Sequence, residues 1–544
     1  MTPSLYLGLD SSTQSLTAVV IEDDGTTRRV VHETSMAFDR VLVQYGTKHG
    51  VLPGTEPGVA LSSPLMWADA LDLMMGRLAS QIDVSRLVAI AGSAQQHGSV
   101  YLNQRAATGL AALNPIKPLA SEVAPMLSRR VSPIWMDTST TAQCAAIEAA
   151  VGGRSALAQH TGSRAFERFT GPQIRKFAET DPAGYAATDR VHLVSSYLAS
   201  LLCGAHAPLD PGDASGMNLM DIAEGQWWRP AVEATADGLA GKLPDIVPSA
   251  TVIGSLSPYW QTRHRLPPAR VVAWSGDNPS SLIGVGLVRE GRLAISLGTS
   301  DTIFGPMREP RVDAGGTGHV FGAPTGQFMG LTCFSNGSLA REHVRDQYGL
   351  TWEQFSQALD QTPAGNGGRM MLPWFVPEIT PCVAHPGVHR HDLDAADAAG
   401  NVRAVVEAQM MALALHSRWM GVSVDTIRAT GGAASNTSVL QVMADVFGVD
   451  VYRFEVSNSA ALGAALRALH ADRASSGTPL SWDEVVAGLA EPVAGSRLRQ
   501  GFHLRQGYGG QVGAQGRITP NTANHGVYRE RLAAYAAFEA AWQR

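Results

Sequence analysis

Two stretches far apart in the chain share one plan. In each, an apolar strand ends in a tight turn of small hydroxyl residues and resumes as a second apolar strand. The first is LYLGLDSSTQSLTAVVIED at 5–23 and the second RLAISLGTSDTIFGPM at 292–307. Each reads as a β-hairpin whose turn offers backbone N–H groups and Ser/Thr hydroxyls, the donors that a polyphosphate needs. Small polar residues also fill turns for local reasons, so one such loop alone is ordinary turn chemistry. The recurrence is what constrains the fold, with Asp10 opening the first turn and Asp277 lying shortly before the second hairpin. It points to two halves of like design gripping one nucleotide.

A chain of 544 residues exceeds what one hydrophobic core supports, which fits two domains. We place the boundary near Leu287, giving domains 1–287 and 288–544. With 45% hydrophobic residues and 56 glycines, the composition is that of an α/β enzyme rich in tight turns. A net charge of -6 without any Lys/Arg run excludes the electrostatic footprint of a nucleic-acid binder. Cys144, Cys203, Cys333 and Cys382 form no CxxC pair, so neither a disulfide framework nor a structural zinc site is expected. The N-terminus has no secretory pattern and no stretch of about twenty uncharged apolar residues occurs, so a cytoplasmic protein without a membrane partner is expected.

Along the chain, 64–82 has helical spacing and LVAIAGS at 87–93 reads as a buried strand, followed at once by the loop AQQHGS. Polar loops at the carboxyl ends of strands are where α/β folds bind ligands, which gives His97 a functional address. Residues 103–133 lack periodicity and read as a long surface excursion with room for short elements of its own. The segment 133–152 reads as strand, turn and Ala-rich helix, with Thr138 or Ser139 as N-cap. Residues 270–288 read as strand, loop and helix, with Asn278 as N-cap and Pro279 at the first helical position. In the second half, 402–420 is an apolar core helix. Strand 427–432, helix 437–448, strand 449–456 and a helix from 458 then make a βα repeat. The stretch 498–517 is too rich in glycine for any regular element and reads as an insertion.

Asp277, in a loop between strand and helix at the domain seam, is the candidate general base for phosphoryl transfer to a hydroxyl. Its alternative role is to favour the N-terminus of the following helix electrostatically. Asp10 cannot donate to phosphate oxygens when ionised; it either holds water or Mg²⁺ beside them or initiates the turn. Gly431 and Gly432 permit close backbone approach to a flat base or ribose. His97 beside Gln96 offers donors and acceptors suited to sugar hydroxyls, or is a plain structural histidine. Arg168, in SRAFERFTG, anchors a polyol or pairs with Glu167.

Taken together, DSSTQS at 10–15, AQQHGS at 94–99, WMDTSTTAQC at 135–144, TGSRAFERFTG at 161–171, DASGMN at 213–218, GDN at 276–278, SLGTSDT at 296–302 and TGGAASN at 430–436 resemble the FGGY family of carbohydrate kinases. The pattern is most similar to the animal-type branch that acts on D-xylulose. The resemblance implies an actin-like, ribonuclease-H-like ATPase fold duplicated in two domains, with sugar in an interdomain cleft and ATP mainly on the C-terminal domain. It implies ATP and Mg²⁺ as cofactors, a small ketose as substrate, and a monomer or homodimer. It carries sugar contacts onto His97, Arg168, Asp277 and Asn278, with Asp277 as catalytic base. It carries nucleotide and phosphate contacts onto Asp10, Ser11, Ser12, Thr13, Gly298, Thr299, Ser300, Trp352, Gly432, Ala433 and Asn436, with Asp10 toward the metal. The first turn, Asp-Ser-Ser-Thr, departs from the Gly-Thr turn of many relatives. Rival expectations are a kinase acting on ribulose, glycerol or a related polyol, and a non-catalytic actin-like protein that binds ATP and sugar.

Overall fold

The computed structural model describes residues 3–54, 56–454, 458–490 and 516–543. They divide into two compact units. The described residues of 1–288, 320–329 and 456–493 form the first, and those of 289–319, 330–455 and 494–544 the second. The sequence boundary near 287 falls beside the first division at Val288. Two later segments that the sequence reading assigned to the C-terminal half pack within the first unit.

The first hairpin is Ser4–Ser11 paired antiparallel with Ser15–Asp23, and the strand Leu87–Ala94 runs parallel to Ser4–Ser11. Arg270–Val272 and Ser275–Gly276 continue parallel to Leu87–Ala94. The second unit repeats this design. Arg292–Leu297 pairs antiparallel with Asp301–Met307 and parallel with Thr426–Thr430, which is followed by parallel Asp450–Arg453 and antiparallel Arg517–Ile518. Each unit is thus a mixed sheet built on a hairpin, the duplicated two-domain α/β fold expected. Alternation cannot be read in the central strands because both faces are covered. Tyr6 and Leu7, like Leu293 and Ala294, are all at most 1% exposed.

The helix Ser459–Ser475 belongs to the first unit because its inner face is small. Ala461, Ala464, Ala465 and Ala468 are fully buried. A Cβ at Gly8 would collide with the Ala461 carbonyl and the Ala465 amide, so only glycine lets this helix lie on the first strand. The same helix crosses Asp277–Gly284 at a pair of glycines. A Cβ at Gly463 would strike the Ser280 carbonyl, and one at Gly284 the Ser459 carbonyl. That backbone-to-backbone approach fixes the helix on which Asp277 stands.

Three local expectations are corrected. Residues 103–133 do hold short elements, helices at Ala106–Gly109 and Leu119–Val123, but they are not confined to the surface: Leu110, Leu119 and Val123 are buried in the first core. Their turns are too short to carry a readable period. The Ala-rich helix is Thr141–Ala150 with Thr140 at its N-cap, because Ser139 is turned back onto Asp137 through Ser139 N (2.9 Å). Gly276, not Asn278, is the N-cap of the next helix, which begins at Asp277. The glycine-rich stretch lies, up to residue 515, outside the described residues. All four cysteines are free thiols. Among the described residues no helix is long and apolar enough to cross a membrane.

Candidate active site

In the first unit, Asp10, Ser93 and Ser275 lie in register across three neighbouring strand ends. Parallel strands deliver their carboxyl ends to one edge of a sheet, so Asp10, the 95–98 loop and Asp277 converge there. Asp10 is half-buried and accepts a hydrogen bond from Ser93 Oγ (2.7 Å). Burial, then the charge of Asp277, raise its pKa to about 7.

Asp277 is likewise half-buried, and desolvation pushes its carboxyl up to about 6. Asn278 N donates to Asp277 Oδ1 (2.8 Å), and the backbone amides of Gln96 and Asp277 itself also pull the value down. A carboxylate at this pitch is ionised near neutral pH and still basic enough to receive a proton in a transition state.

His97 occupies left-handed backbone at φ 73, rare for a non-glycine residue. Thr170 Oγ1 holds its carbonyl (3.0 Å), and its ring packs at 4.6 Å from Phe169. The Gly216 carbonyl lies 2.8 Å from His97 Nδ1 and can only accept, so Nδ1 carries the proton and Nε2 is an acceptor. Burial and the Arg168 charge lower the His97 pKa to about 3, which keeps the ring neutral. The Arg168 guanidinium lies over Phe166 and Phe169 at 4.7 and 5.4 Å.

The first turn is more occupied than its sequence suggests. Ser12 Oγ is engaged with Ser15, while Thr13 Oγ1 accepts from Trp135 Nε1 (2.8 Å) and donates to Gln95 Oε1 (3.4 Å). The backbone N–H groups of Thr13 and Gln14 have no acceptor among the described residues, and Ser11 Oγ is buried without a partner.

In the second unit, the turn Gly298–Ser300 is tied down from behind. Arg341 grips Asp301 with two bonds of 2.9 and 3.0 Å, both residues being at most 2% exposed. Burial holds the Asp301 carboxyl above its ordinary range although Arg341 opposes it. Gln409 accepts from Arg341 (2.7 Å) and donates to the Asn336 and Gly337 carbonyls (2.7 and 2.9 Å). Thr299 and Ser300 stay exposed, with backbone N–H groups that have no acceptor among the described residues.

Beside this turn, strand Thr426–Thr430 ends at Gly431, where a Cβ would meet the Leu297 carbonyl at 2.5 Å. Gly432 is exposed and nothing stands within 4 Å of where its Cβ would be. Asn436 has its amide fully engaged. It caps helix Thr437–Phe447 by accepting from Ser438 N and Val439 N, and it donates to Ser356 Oγ (2.9 Å). Ser356 lies one helical turn from Trp352, so this bond ties the helix carrying that indole to the glycine turn. Trp352 is 39% exposed, with the Arg345 guanidinium 4.5 Å from its ring.

The sequence-derived residues therefore fall into two sets. Asp10, Ser11, Ser12, Thr13, His97, Arg168, Asp277 and Asn278 lie in the first unit, and Gly298, Thr299, Ser300, Trp352, Gly432, Ala433 and Asn436 in the second. Sequence reasoning missed Arg341 and Gln409, whose roles depend on helices remote in the chain. It also missed Asp213, which is fully buried and meets Ser195 Oγ through Oδ2; burial holds its pKa well above the ordinary range. Its motif, DASGMN, marked the position without giving the role.

The family model described as the FGGY family of carbohydrate kinases matches this chain with its N-terminal domain over residues 128–284 and its C-terminal domain over 293–471. The chain is 40% identical to a xylulose kinase of Mus musculus, over 98% of this chain and 93% of the mouse protein. Among solved structures, a xylulose kinase from Rhodospirillum rubrum superposes with a TM-score of 0.77 at 20% identity, covering 99% of both chains. A gluconate kinase from Lactobacillus acidophilus gives 0.78 at 18% identity, covering 99% of this chain and 98% of its own. Equal likeness to kinases named for different sugars shows that the backbone carries the fold and not the substrate.

Proposed function

This chain belongs to the FGGY family of carbohydrate kinases, and from that premise we propose that it transfers the γ-phosphoryl group of ATP to D-xylulose, with Asp277 as general base. The observation that carries the assignment of the base is the environment of Asp277. Its carboxylate is raised to about 6, anchored at a helix start and flanked by Asn278. The attacking primary hydroxyl gives its proton to Asp277 as its oxygen bonds to the γ-phosphorus, and the bond from phosphorus to the bridging oxygen of ADP breaks. His97 Nε2 accepts a sugar hydroxyl, and Arg168 donates to another sugar oxygen. Because His97 is neutral, it orients without competing for the proton.

Nucleotide binding is assigned to the second unit. The N–H groups at Thr299 and Ser300 face phosphate oxygens, Gly432 and Ala433 let the backbone approach the nucleoside, and Trp352 covers a flat face. Asn436 acts by holding the Trp352 helix against that turn. A divalent cation fits beside Asp10, where a half-buried carboxylate with Ser93 Oγ as its donor and the unpartnered Ser11 Oγ leave oxygen ligands. Among the described residues no cluster of three or more His, Cys, Asp or Glu forms a cage, so Asp10 would share Mg²⁺ with phosphate oxygens. When bound, Mg²⁺ spreads the charge of the phosphates.

The test is ADP release from purified protein offered D-xylulose, ribulose, glycerol and gluconate with MgATP. Turnover greatest with D-xylulose supports the assignment; faster turnover with another sugar or polyol refutes the substrate, and sugar-independent ADP release refutes the kinase.

A further inference from the structure

Asn278 is held to the rest of the first unit by a relay of amides. The Gly212 carbonyl accepts from Gln96 Nε2 at 3.2 Å, Gln96 Oε1 accepts from Asn278 Nδ2 at 2.8 Å, and the same Nδ2 lies 3.3 Å from Asp277 Oδ1. The direction of this relay is fixed by chemistry. A backbone carbonyl can only accept, so Gln96 must turn its NH₂ toward Gly212 and its oxygen toward Asn278. Asn278 must then present its NH₂, and the Asp277 carboxylate demands the same end. Both hydrogens of Nδ2 are committed to the protein, which leaves Oδ1 as the acceptor end of the amide. No group among the described residues donates to Asn278 Oδ1, and Asn278 is exposed while Gln96 is 2% exposed.

The relay is anchored at both ends. Gly212 stands in the short helix Pro211–Ala214, capped by Asp210 through Asp213 N (2.9 Å), and Ser215 Oγ also donates to the Gly212 carbonyl (3.1 Å). Gly276, the N-cap before Asp277, admits no side chain because a Cβ there would collide with Gln96 Cγ. Gln96 thus fills the space that a Cβ at 276 would need, and it cannot swing away without opening a cavity under the base.

We infer that Gln96 is a positioning residue that makes Asn278 a pure acceptor, so that the site selects a substrate hydroxyl able to donate at the position Asn278 faces. This rests on the reading of Asn278 as a sugar contact. A free amide can flip and serve either as donor or as acceptor; a locked one cannot. A substrate carrying a carbonyl, ether or fluorine at that position would meet an oxygen lone pair and be rejected, because neither side can donate.

The experiment uses the full-length enzyme with D-xylulose and its deoxy and deoxyfluoro analogues. Asn278→Ala first identifies the hydroxyl concerned as the one whose removal no longer matters in that variant. In the wild type, fluorine at that carbon should be no better than hydrogen, with kcat/KM down at least tenfold for both. In Gln96→Met, which keeps the volume against Gly276, KM for the sugar should rise about fivefold or more with kcat within threefold and KM for ATP unchanged. The tenfold gap between sugar and deoxy analogue should shrink. Adding Gln96→Met to Asn278→Ala should change nothing further. A fluoro analogue that recovers most of the wild-type rate overturns the inference even if Gln96→Met does not fold. So does Gln96→Met with unaltered sugar KM and selectivity while Asn278→Ala is impaired, which leaves the sugar contact standing. Normal sugar kinetics in Asn278→Ala overturns the contact itself and the inference with it.

Discussion

Replacing Asp277 by asparagine should make the protein more stable and nearly inactive, and the structure sets both magnitudes. The carboxyl is raised from its ordinary 3.8 to about 6 by burial at the sheet edge. Two pKa units are worth roughly 3 kcal/mol of differential interaction, and half-burial with solvent screening reduces this to about 1–3 kcal/mol. The sign follows from linkage. A carboxyl whose folded pKa lies above its unfolded value binds its proton more tightly when folded, so ionising it costs stability as pH rises from about 4 through about 6. At pH 8 the wild type carries the whole penalty and Asp277→Asn none. Below pH 4 both are neutral at this position and the difference should vanish. Asn preserves the shape, and its oxygen still accepts from Asn278 N. Urea unfolding at pH 8 and pH 4 measures the stability difference, and sugar-dependent ADP release measures the loss in kcat, expected to be about 10² or more. An Asn variant equal to or less stable than wild type at pH 8, or one retaining more than a tenth of kcat, would refute the view of Asp277 as a partly desolvated base held at the expense of stability.

Other outcomes follow from the same geometry. The acid limb of kcat/KM should fall below about pH 6 with Asp277, and no histidine limb should appear from His97, whose pKa near 3 keeps it neutral; a pH-rate profile for wild type and His97→Asn checks both. Arg341→Met strands the buried Asp301 carboxylate and should destabilise the second unit by about 3–5 kcal/mol, with a raised KM for ATP, read by melting and kinetics. Trp352→Ala should raise KM for ATP several-fold while leaving KM for the sugar and the melting temperature nearly unchanged, since the indole is 39% exposed. Gly463→Ala forces the Ser459–Ser475 helix off the Ser280 carbonyl and should lower both stability, by at least about 1–3 kcal/mol, and kcat, because the Asp277 helix moves with it.

The parts legible beforehand were those in which a local pattern is tied to local chemistry. Both hairpins, the strand ending at Ala94, the core helix now seen at Ala398–His416 and the capped helix Thr437–Phe447 all carry their signals within a dozen residues. The failures also have physical causes. Asn278-Pro279 mimics an N-cap followed by Pro at N1, yet Gly276 starts the helix two residues earlier, and this frees the Asn278 amide for Gln96. The partners of the Thr13 hydroxyl, Trp135 and Gln95, lie respectively 122 and 82 residues away and could not be read from the turn itself. Asn436, expected to face the nucleotide, also caps the helix Thr437–Phe447 and braces the Trp352 helix, a structural role its motif did not announce.

By itself the sequence determined the duplicated hairpins, the α/β class, the polar loops at strand ends and the residue types available for phosphoryl transfer, because turn chemistry and strand patterning act over a few neighbours. Only the tertiary structure decided which of those groups are available for chemistry. The return of the Ser459–Ser475 helix across glycines fixes the Asp277 helix, desolvation at the sheet edge sets Asp10 near 7 and Asp277 near 6, and the acceptor-only Gly212 carbonyl orients Gln96 and Asn278. Burial and hydrogen-bond direction depend on groups distant in the chain, and no local pattern encodes them.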